Sequence, residues 1–413
     1  MLGLARSTIA TAALLGAAWS FGCGTSSGGS TPQVQQTNQD AAADAGSHPT
    51  GLKALSVAVG AYHACALLTD HTVECWGVGS QVAAPIVTTP AVVPGLSGVM
   101  AIASKGELTC AMLSDASVEC WGMDVFTVAP TATDYTTPVV VPSLAGAKSL
   151  SMGGVGSDSL CALMPGGDVQ CHGGIVSSSM PPVDAGEVAT AVATGLGAAC
   201  AVVSGGAVSC WGAITCVIDQ CPDYGPAPIP GLTGATAIAE GNEHACALLG
   251  NGSVVCWGSN AEAQLGTLAC GDAGAGSTCP VPTAVPGLSR ITAIAAGGYG
   301  TCALSSGGVV QCWGAGPFDS TTVGVRCPDP VTEEGPPEDS GASVLLSAPP
   351  YCVAPPATLL TTGATAIDVG DSNACALMTD GSVQCWGPNN YGVDGQGPDS
   401  DSGIPEGPYI VAL

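Results

Sequence analysis

The chain has 413 residues, of which only 9% are charged, and its 32 acidic and 6 basic side chains give a formal net charge of −26. Six basic residues cannot form the basic face that neutralises phosphates, which excludes a nucleic-acid binder. A composition with 60 glycines and 31 prolines excludes a helical bundle, whereas 46% hydrophobic residues are enough for a folded core.

The first residues have the pattern of an export signal. Arg6 precedes a short apolar run at 9–19, which is too short to span a bilayer but suits the core of a signal peptide. Residues 20–23, SFGC, resemble the bacterial lipoprotein box, although Leu usually stands where Ser20 is. The resemblance predicts a signal peptide at 1–22 and lipidation of Cys23, hence an exported lipoprotein of the bacterial cell envelope, with the outer membrane as the expected location. A plain secretory signal is the alternative.

Residues 23–50 predict a flexible tether. They consist mainly of Gly, Ser, Ala, Thr and Gln, with almost no large apolar side chain. Such a segment cannot bury enough surface to offset the entropy lost on folding. The folded domain is therefore expected at 51–413.

From residue 51 onward, one unit recurs seven times. In each unit nine residues separate two cysteines, and Trp-Gly follows the second cysteine in six of the seven units. The third unit has His172-Gly173 instead. The pairs are Cys65 and Cys75, Cys110 and Cys120, Cys161 and Cys171, Cys200 and Cys210, Cys246 and Cys256, Cys302 and Cys312, and Cys375 and Cys385.

Each cysteine pair predicts a β-hairpin. Turn-forming Asp, Gly, Asn and Ser lie between apolar flanks, and a three-residue loop at 69–71 would place Cys65 opposite Cys75. The commonest loop of this length ends in a left-handed residue, usually glycine. Five repeats have glycine at that position, and His71 and Ala116 replace it in the other two. A further strand is predicted before each hairpin, from segments of the TAIA type such as 236–239.

Residues 241–266, GNEHACALLGNGSVVCWGSNAEAQLG, resemble the repeat of the regulator-of-chromosome-condensation (RCC1) family. Segments 60–77 and 370–387 match nearly as well, and the resemblance covers 51–413. It implies an all-β, seven-bladed β-propeller with one Cys-x9-Cys hairpin per blade. The last repeat stops roughly where the first begins, so we expect both chain ends to close the ring by completing one blade together.

The remaining cysteines fall in insertions after the Trp-Gly of three consecutive repeats, near 213–228, 259–284 and 315–357. They form three local pairs: Cys216 and Cys221, Cys270 and Cys279, and Cys327 and Cys352. Twenty cysteines can thus form ten disulfides, and the one left over is Cys23, which lipidation would consume. Metal ligation and reduced thiols are the alternatives.

No motif nominates catalytic residues. The histidines are His48, His63, His71, His172 and His244, and the sequence has no G-x-S-x-G, H-E-x-x-H or phosphate-loop pattern. The acidic pairs at 333–334 and 338–339 lie in a Pro-rich insertion, which is typical of a solvated loop. A calcium site near Asp394, Asp399 and Asp401 lacks the acidic twelfth position of an EF-hand. We expect no catalytic residue, cofactor or metal.

Two classes of function compete. The first is a non-catalytic, monomeric interaction module at the cell surface, with a protein or cell-surface ligand as partner and a membrane contact only through the lipid. Within this class the chain also resembles secreted bacterial propellers that inhibit β-lactamases. The second is a secreted propeller hydrolase or lyase, which would need convergent polar side chains in its central channel. The nuclear exchange-factor role of the family is not carried over, because an export signal and disulfides are incompatible with it.

Overall fold

The computed structural model describes residues 51–78, 86–122, 136–154, 159–172, 188–212, 226–267, 278–315, 325–326, 351–387, 392, 409–411 and 413. These residues contain 28 β-strands and one short 3-10 helix, Pro142–Leu144. Within this part of the chain, no helix has the length and apolar character needed to cross a membrane. The predicted signal peptide, Cys23 and the tether lie outside the described residues.

The strands form seven antiparallel sheets, the blades, and each blade is built from strands that follow one another in the sequence. Blade one has β1 (Ala54–Val59), β2 (His63–Leu68), β3 (Val73–Val78) and β4 (Ile86–Val92). Blade two has β5 (Val99–Lys105), β6 (Leu108–Leu113), β7 (Val118–Gly122) and β8 (Val139–Val140). Blade three has β9 (Ser149–Met152), β10 (Leu160–Leu163) and β11 (Val169–His172). Blade four has β12 (Ala189–Thr194), β13 (Ala198–Val203), β14 (Val208–Gly212) and β15 (Ala227–Pro228).

Blade five has β16 (Ala235–Glu240), β17 (His244–Leu249), β18 (Val254–Ser259) and β19 (Thr278–Ala284). Blade six has β20 (Ile291–Gly297), β21 (Gly300–Ser305), β22 (Val310–Ala315), β23 (Val325–Arg326) and β24 (Tyr351–Leu360). Blade seven has β25 (Ala364–Val369), β26 (Ala374–Met378), β27 (Val383–Trp386) and β28 (Tyr409–Val411). The seven-bladed all-β propeller implied by the resemblance is therefore confirmed.

The hairpins have the register that the cysteine spacing predicts. Cys65 lies opposite Cys75, and the Leu68 and Thr72 backbones close the loop with a 2.9 Å hydrogen bond. The third loop residue is left-handed in all seven hairpins, even where glycine is replaced, with φ 65° at His71 and 68° at Ala116. Asp70 stabilises the first loop, because its Oδ1 accepts hydrogen bonds from both the N–H and the hydroxyl of Thr72.

A disulfide joins the two hairpin cysteines in every blade, with the paired Cα atoms 4.0–4.1 Å apart. Cys279 is also disulfide-bonded, and it is buried. Cys352 lies in β24. The other predicted positions, Cys23, Cys216, Cys221, Cys270 and Cys327, lie outside the described residues.

Apolar cores lie between neighbouring blades, one at each of the seven interfaces. Six of them contain the tryptophan that follows the second hairpin cysteine, and each tryptophan packs against the preceding blade: Trp76, Trp121, Trp211, Trp257, Trp313 and Trp386. Between blades two and three, where His172 replaces tryptophan, the core consists of aliphatic side chains such as Leu108, Met152 and Leu160. Burial of these interfaces is the main stabilising contribution of the ring.

Both chain ends take part in closing the ring, but differently from our expectation. The described strands of blade one all come from the N-terminal side of the domain, and β28 at the C-terminus completes blade seven, so these two blades share no strand. Instead, Leu52 and Leu413 pack against a common core that contains Ala54 and Val411. Each repeat begins with its own first strand, so the ends meet at a blade boundary, which is closed by side-chain packing together with a backbone hydrogen bond from the Ala54 N–H to the Gly381 carbonyl.

Candidate functional site

The blades define two faces of the ring. On the upper face lie the connections from first to second strand and from third to fourth strand. In blade five, for example, the Ser259 N–H donates to the Glu243 carbonyl at 2.9 Å, which brings the two connections together. On the lower face lie the cysteine-hairpin loops and the links between blades. For example, the Ala54 N–H at the start of blade one donates to the carbonyl of Gly381, in the hairpin loop of blade seven, at 2.9 Å.

All three insertions are attached to the upper face. Each insertion connects the third strand of a blade to the next strand of the sheet. In blade four the third strand ends at Gly212 and the next strand begins at Ala227, and in blade five the corresponding residues are Ser259 and Thr278. In blade six the insertion begins after β22 and includes β23 before β24. The predicted insertion ranges therefore contain β15, β19, β23 and part of β24, and these strands belong to the blades.

The first strands of the seven blades surround an axial cavity with a volume of about 330 Å³. One residue from each strand contributes to an apolar belt in its lining: Val57, Ile102, Leu150, Val192, Ile238, Ile294 and Ile367. Three charged side chains also line the cavity, namely Lys105, Glu240 and Asp368. The channel thus combines this apolar belt with polar lining, and its charged side chains lie near the upper ends of the first strands.

Lys105 and Asp368 connect different blades at the channel. The Lys105 ammonium donates to the Ala296 carbonyl at 2.7 Å and also to the Val369 carbonyl, and so joins blade two to blades six and seven. Asp368 accepts hydrogen bonds from the Val59 N–H at 2.7 Å and from the Val369 N–H at 2.9 Å. Burial raises the pKa of Asp368, and the charge of Lys105 and these N–H groups oppose that shift. Both side chains therefore have structural partners.

Three positions recur near the channel at every blade interface. The first lies two residues before the first hairpin cysteine of one blade. The other two are cross-strand partners on the following blade, as Ser104 and Thr109 are. At the interface between blades one and two, His63 Nε2 lies 2.8 Å from both hydroxyls. Between blades five and six, His244 Nε2 lies 2.7 Å from Thr301 Oγ1.

The two histidines are structural links between blades. Both are buried, and burial lowers the pKa of His63 to about 4 and that of His244 to about 3, so the rings are neutral near pH 7. A Cβ at Gly60 or Gly241 would collide with the neighbouring histidine ring, which explains the glycine before each of them. The RCC1-like pattern of glycine followed by histidine is thus a packing device.

The Ser104–His63 pair does not form a catalytic triad. A nucleophile–base pair needs a third group that orients the base and a path for the substrate. His63 Nδ1 has no hydrogen-bond partner in the described part of the chain, and both side chains are buried.

At the interface between blades four and five, Glu240 holds the position that Ser104 holds between blades one and two, but its neighbours are different. The other two positions are Ala198 and Ala245, which offer no side-chain donor. Glu240 is only 3% exposed, and no side chain among the described residues donates a hydrogen bond to its carboxylate, although the Gly195 N–H lies nearby. One oxygen lies within 4.8 Å of the sulfurs of Cys200 and Cys210, but these are joined in a disulfide and cannot act as thiolate ligands.

Sequence reasoning missed Lys105, Glu240 and Asp368. The signal was present, because an alignment of the seven first strands shows these charges where the other repeats have uncharged residues. Of the residues considered in the sequence, the His71 ring donates to the Val99 carbonyl at 2.8 Å in a hairpin loop, and His172 is half-buried in β11. His48, the acidic pairs at 333–334 and 338–339, and Asp394, Asp399 and Asp401 lie outside the described residues.

The fold and its repeated interfaces define a closed, disulfide-linked, seven-bladed β-propeller. One family model, the regulator of chromosome condensation (RCC1) repeat, matches residues 251–304, and a second model of the same description matches 55–81, 235–264, 291–318 and 364–393. The chain therefore contains RCC1-like repeats. A comparison with curated protein sequences found no match.

Solved structures of yeast RCC1 (Prp20) share the fold. The chain superposes on Prp20 bound to Kap60 with a TM-score of 0.65 and 21% identity, covering 82% of this chain and 83% of Prp20. A second structure, of Prp20p from Saccharomyces cerevisiae, gives a TM-score of 0.65 at 21% identity and covers 82% and 85% of the two chains. That second structure of Prp20p was described together with its binding properties to Gsp1p and histones.

Proposed function

We propose that this chain is a non-catalytic protein-interaction module, exported and anchored through a lipid on Cys23, and that its upper face binds the partner at the cell surface. The RCC1-like propeller fold supports a protein-interaction role. The similar yeast protein is described in complex with Kap60 and in relation to Gsp1p and histones, all of them proteins.

The observation that carries this proposal is the attachment of the three insertions to one face. They belong to consecutive blades, four to six, and all start and end at the upper face. Binding residues are commonly found on loops held by a rigid scaffold. The insertions also contain the six cysteines beyond the hairpins, and cross-linked loops would lose less entropy on binding.

The polar groups of the channel support a non-catalytic role. Lys105 and Asp368 bond to backbone groups, and His63 and His244 are buried links between blades. A general acid or base must come within hydrogen-bond distance of a substrate. These groups are instead engaged in holding the ring together.

Site-specific photo-crosslinking on intact cells tests which face binds. A benzoylphenylalanine at Tyr299, 40% exposed on the upper face, is compared with one at Met100, 58% exposed near the lower face. We expect a discrete protein adduct from position 299 and none from position 100. Adducts from position 100 alone would refute the assignment of the face, and adducts from neither, with turnover in a hydrolase panel, would refute the interaction role.

Anchoring is tested separately by Cys23→Ser. We expect wild-type protein in the membrane fraction with incorporated labelled palmitate, and the variant in the soluble exported fraction without label. Identical fractionation and no label in the wild type would support a plain secretory signal and refute the anchor.

A further inference from the structure

The lower face of the ring carries exposed aliphatic side chains close to the point where the chain enters the domain. Leu55 in blade one is 48% exposed and Met100 in blade two is 58% exposed. Each is the extra residue of a β-bulge near the lower end of a first strand, and these two strands are neighbours around the axis. Val188, directly before β12 on the same face, is 46% exposed. Exposed apolar groups that share one face indicate a contact with another surface.

Packing within the blades does not require aliphatic side chains at these bulges. Blades four to seven have threonine there, and each hydroxyl donates to a carbonyl in the second strand of its own blade at 3.1–3.2 Å: Thr190, Thr236, Thr292 and Thr365. Blades one and two have an exposed aliphatic side chain in place of this hydrogen-bonded group. Leu55 and Met100 are therefore available for a contact outside the ring.

Charge is distributed unequally between the two faces. Lys53, Lys148 and Arg290 are exposed, and each directly precedes the first strand of a blade at the lower face. Four aspartates lie in or directly beside the hairpin loops, so the lower face is close to neutral: Asp70, Asp115, Asp168 and Asp380. The upper-face connections that follow the hairpins in all blades except blade three contain half of the 32 acidic residues and one basic residue, Arg326. An anionic phospholipid surface therefore repels the upper face more strongly than the lower face.

We propose that the lower face lies against the phospholipid surface that holds the Cys23 lipid, with Leu55 and Met100 among the headgroups and the upper face directed away from the membrane. This inference rests on the proposed anchor. The tether joins the domain at Gly51, beside Lys53, whose carbonyl accepts from the Thr69 N–H of the lower hairpin loop at 2.9 Å. A flexible chain of the 28 residues from 23 to 50 spans about 30 Å, which is too long to orient the domain by itself. The aliphatic side chains supply the second contact that fixes the orientation.

Photo-crosslinking to lipid tests the orientation. The lipidated full-length chain, with benzoylphenylalanine at Met100 or at Tyr299, is purified from membranes and reconstituted in vesicles of phosphatidylethanolamine and phosphatidylglycerol. After irradiation, mass spectrometry should find phospholipid adducts at position 100 and none at position 299. Equal adducts at both positions, in protein that floats with the vesicles, would overturn the orientation and leave the anchor intact. Adducts to protein alone at position 100 would also overturn it, and protein that does not float would refute the anchor and this inference with it.

A double variant, Leu55→Thr with Met100→Thr, tests the second contact. Threonine is the residue that four other blades have at this position, so the variant should fold, and its Tm checks this. With benzoylphenylalanine at Val188, we expect the yield of phospholipid adducts to fall several-fold relative to the wild-type background. Ile410→Thr is the matched control, because Ile410 is 61% exposed on the outermost strand of blade seven, and it should keep the yield. A double variant with wild-type Tm and an unchanged yield would overturn the proposal.

Discussion

We expect two buried histidines at the blade interfaces to make the stability of the protein depend on pH. His63 and His244 have pKa values of about 4 and about 3 in the folded protein, below the ordinary 6.5. The unfolded chain therefore binds protons first as the pH falls. The stability associated with the neutral rings is complete above about pH 6.5 and decreases as the pH drops toward 4.

Blade seven has asparagine, Asn373, at the position of these histidines. Replacing both histidines by asparagine should therefore reduce the loss of stability at acidic pH. We expect the His63→Asn, His244→Asn double variant to lose less stability than wild type between pH 6.5 and 4, even if it is less stable at pH 7. Urea unfolding midpoints across this range provide the measurement. Equal slopes in the two proteins would show that the histidines do not control the response.

Glu240 should change the stability in the opposite direction, with stability lost as the pH rises. Burial raises its pKa well above the ordinary value, and the nearby Gly195 N–H opposes this only in part. A group with a raised folded pKa stabilises the protein below its unfolded pKa, and that stability is lost as the pH rises through the folded value. Glu240→Gln should therefore raise Tm at pH 8 and change it little at pH 4. A variant less stable than wild type at pH 8 would contradict this.

The left-handed loop residues offer a matched pair of substitutions. Ala116 has φ 68°, a conformation that costs a residue with a Cβ about 1–2 kcal/mol. Ala116→Gly should stabilise the protein by up to about 1 kcal/mol, because the greater freedom of glycine in the unfolded chain offsets part of the gain. Gly252→Ala, at φ 80°, should destabilise it. Chemical denaturation of both variants checks the prediction, which fails if they shift stability in the same direction.

At the scale of elements, blade three differs from the others. Its sheet has three strands among the described residues, and Cys171 in β11 is half-buried, whereas the cysteines of the other hairpin pairs are buried. Reduction requires access of a thiolate to the disulfide. Less burial should therefore make this disulfide more reactive.

We expect brief treatment with DTT under native conditions to reduce Cys161–Cys171 before any other hairpin disulfide. Alkylation of the free thiols followed by peptide mass spectrometry identifies the pair. Cys246–Cys256 in blade five, which is fully buried, is the internal control. Simultaneous labelling of both pairs would indicate global opening and contradict the prediction.

At the scale of the whole molecule, apolar packing between blades one and seven seals the ring. Val411 in β28 is 3% exposed and belongs to this core, whereas its neighbour Ile410 is 61% exposed. A charge placed in such a core without a partner is strongly destabilising. Val411→Asp should therefore lower Tm by several degrees, and Ile410→Asp should leave it nearly unchanged. Similar Tm values for the two variants would show that this interface does not hold the ring closed.

Much of the fold follows from local sequence. The cysteine spacing, the turn residues and the third loop position all predicted the same hairpin register, because cross-strand pairing within a short hairpin depends on neighbouring residues only. Seven copies of the unit indicated the number of blades. The way the ends meet was less predictable, since the sequence does not show whether backbone pairing or side-chain packing joins the first and last repeats.

The sequence alone thus determined the repeat, the hairpins and their cysteine pairs, which rest on interactions between residues close in the chain. Tertiary structure decided which residues meet around the axis. Lys105 reaches carbonyls 191 and 264 residues away, and His63 meets Thr109 of the next blade. It also placed Glu240 beside Ala245 of its own blade and Ala198 of blade four, neither of which has a side chain that can donate a hydrogen bond to the carboxylate.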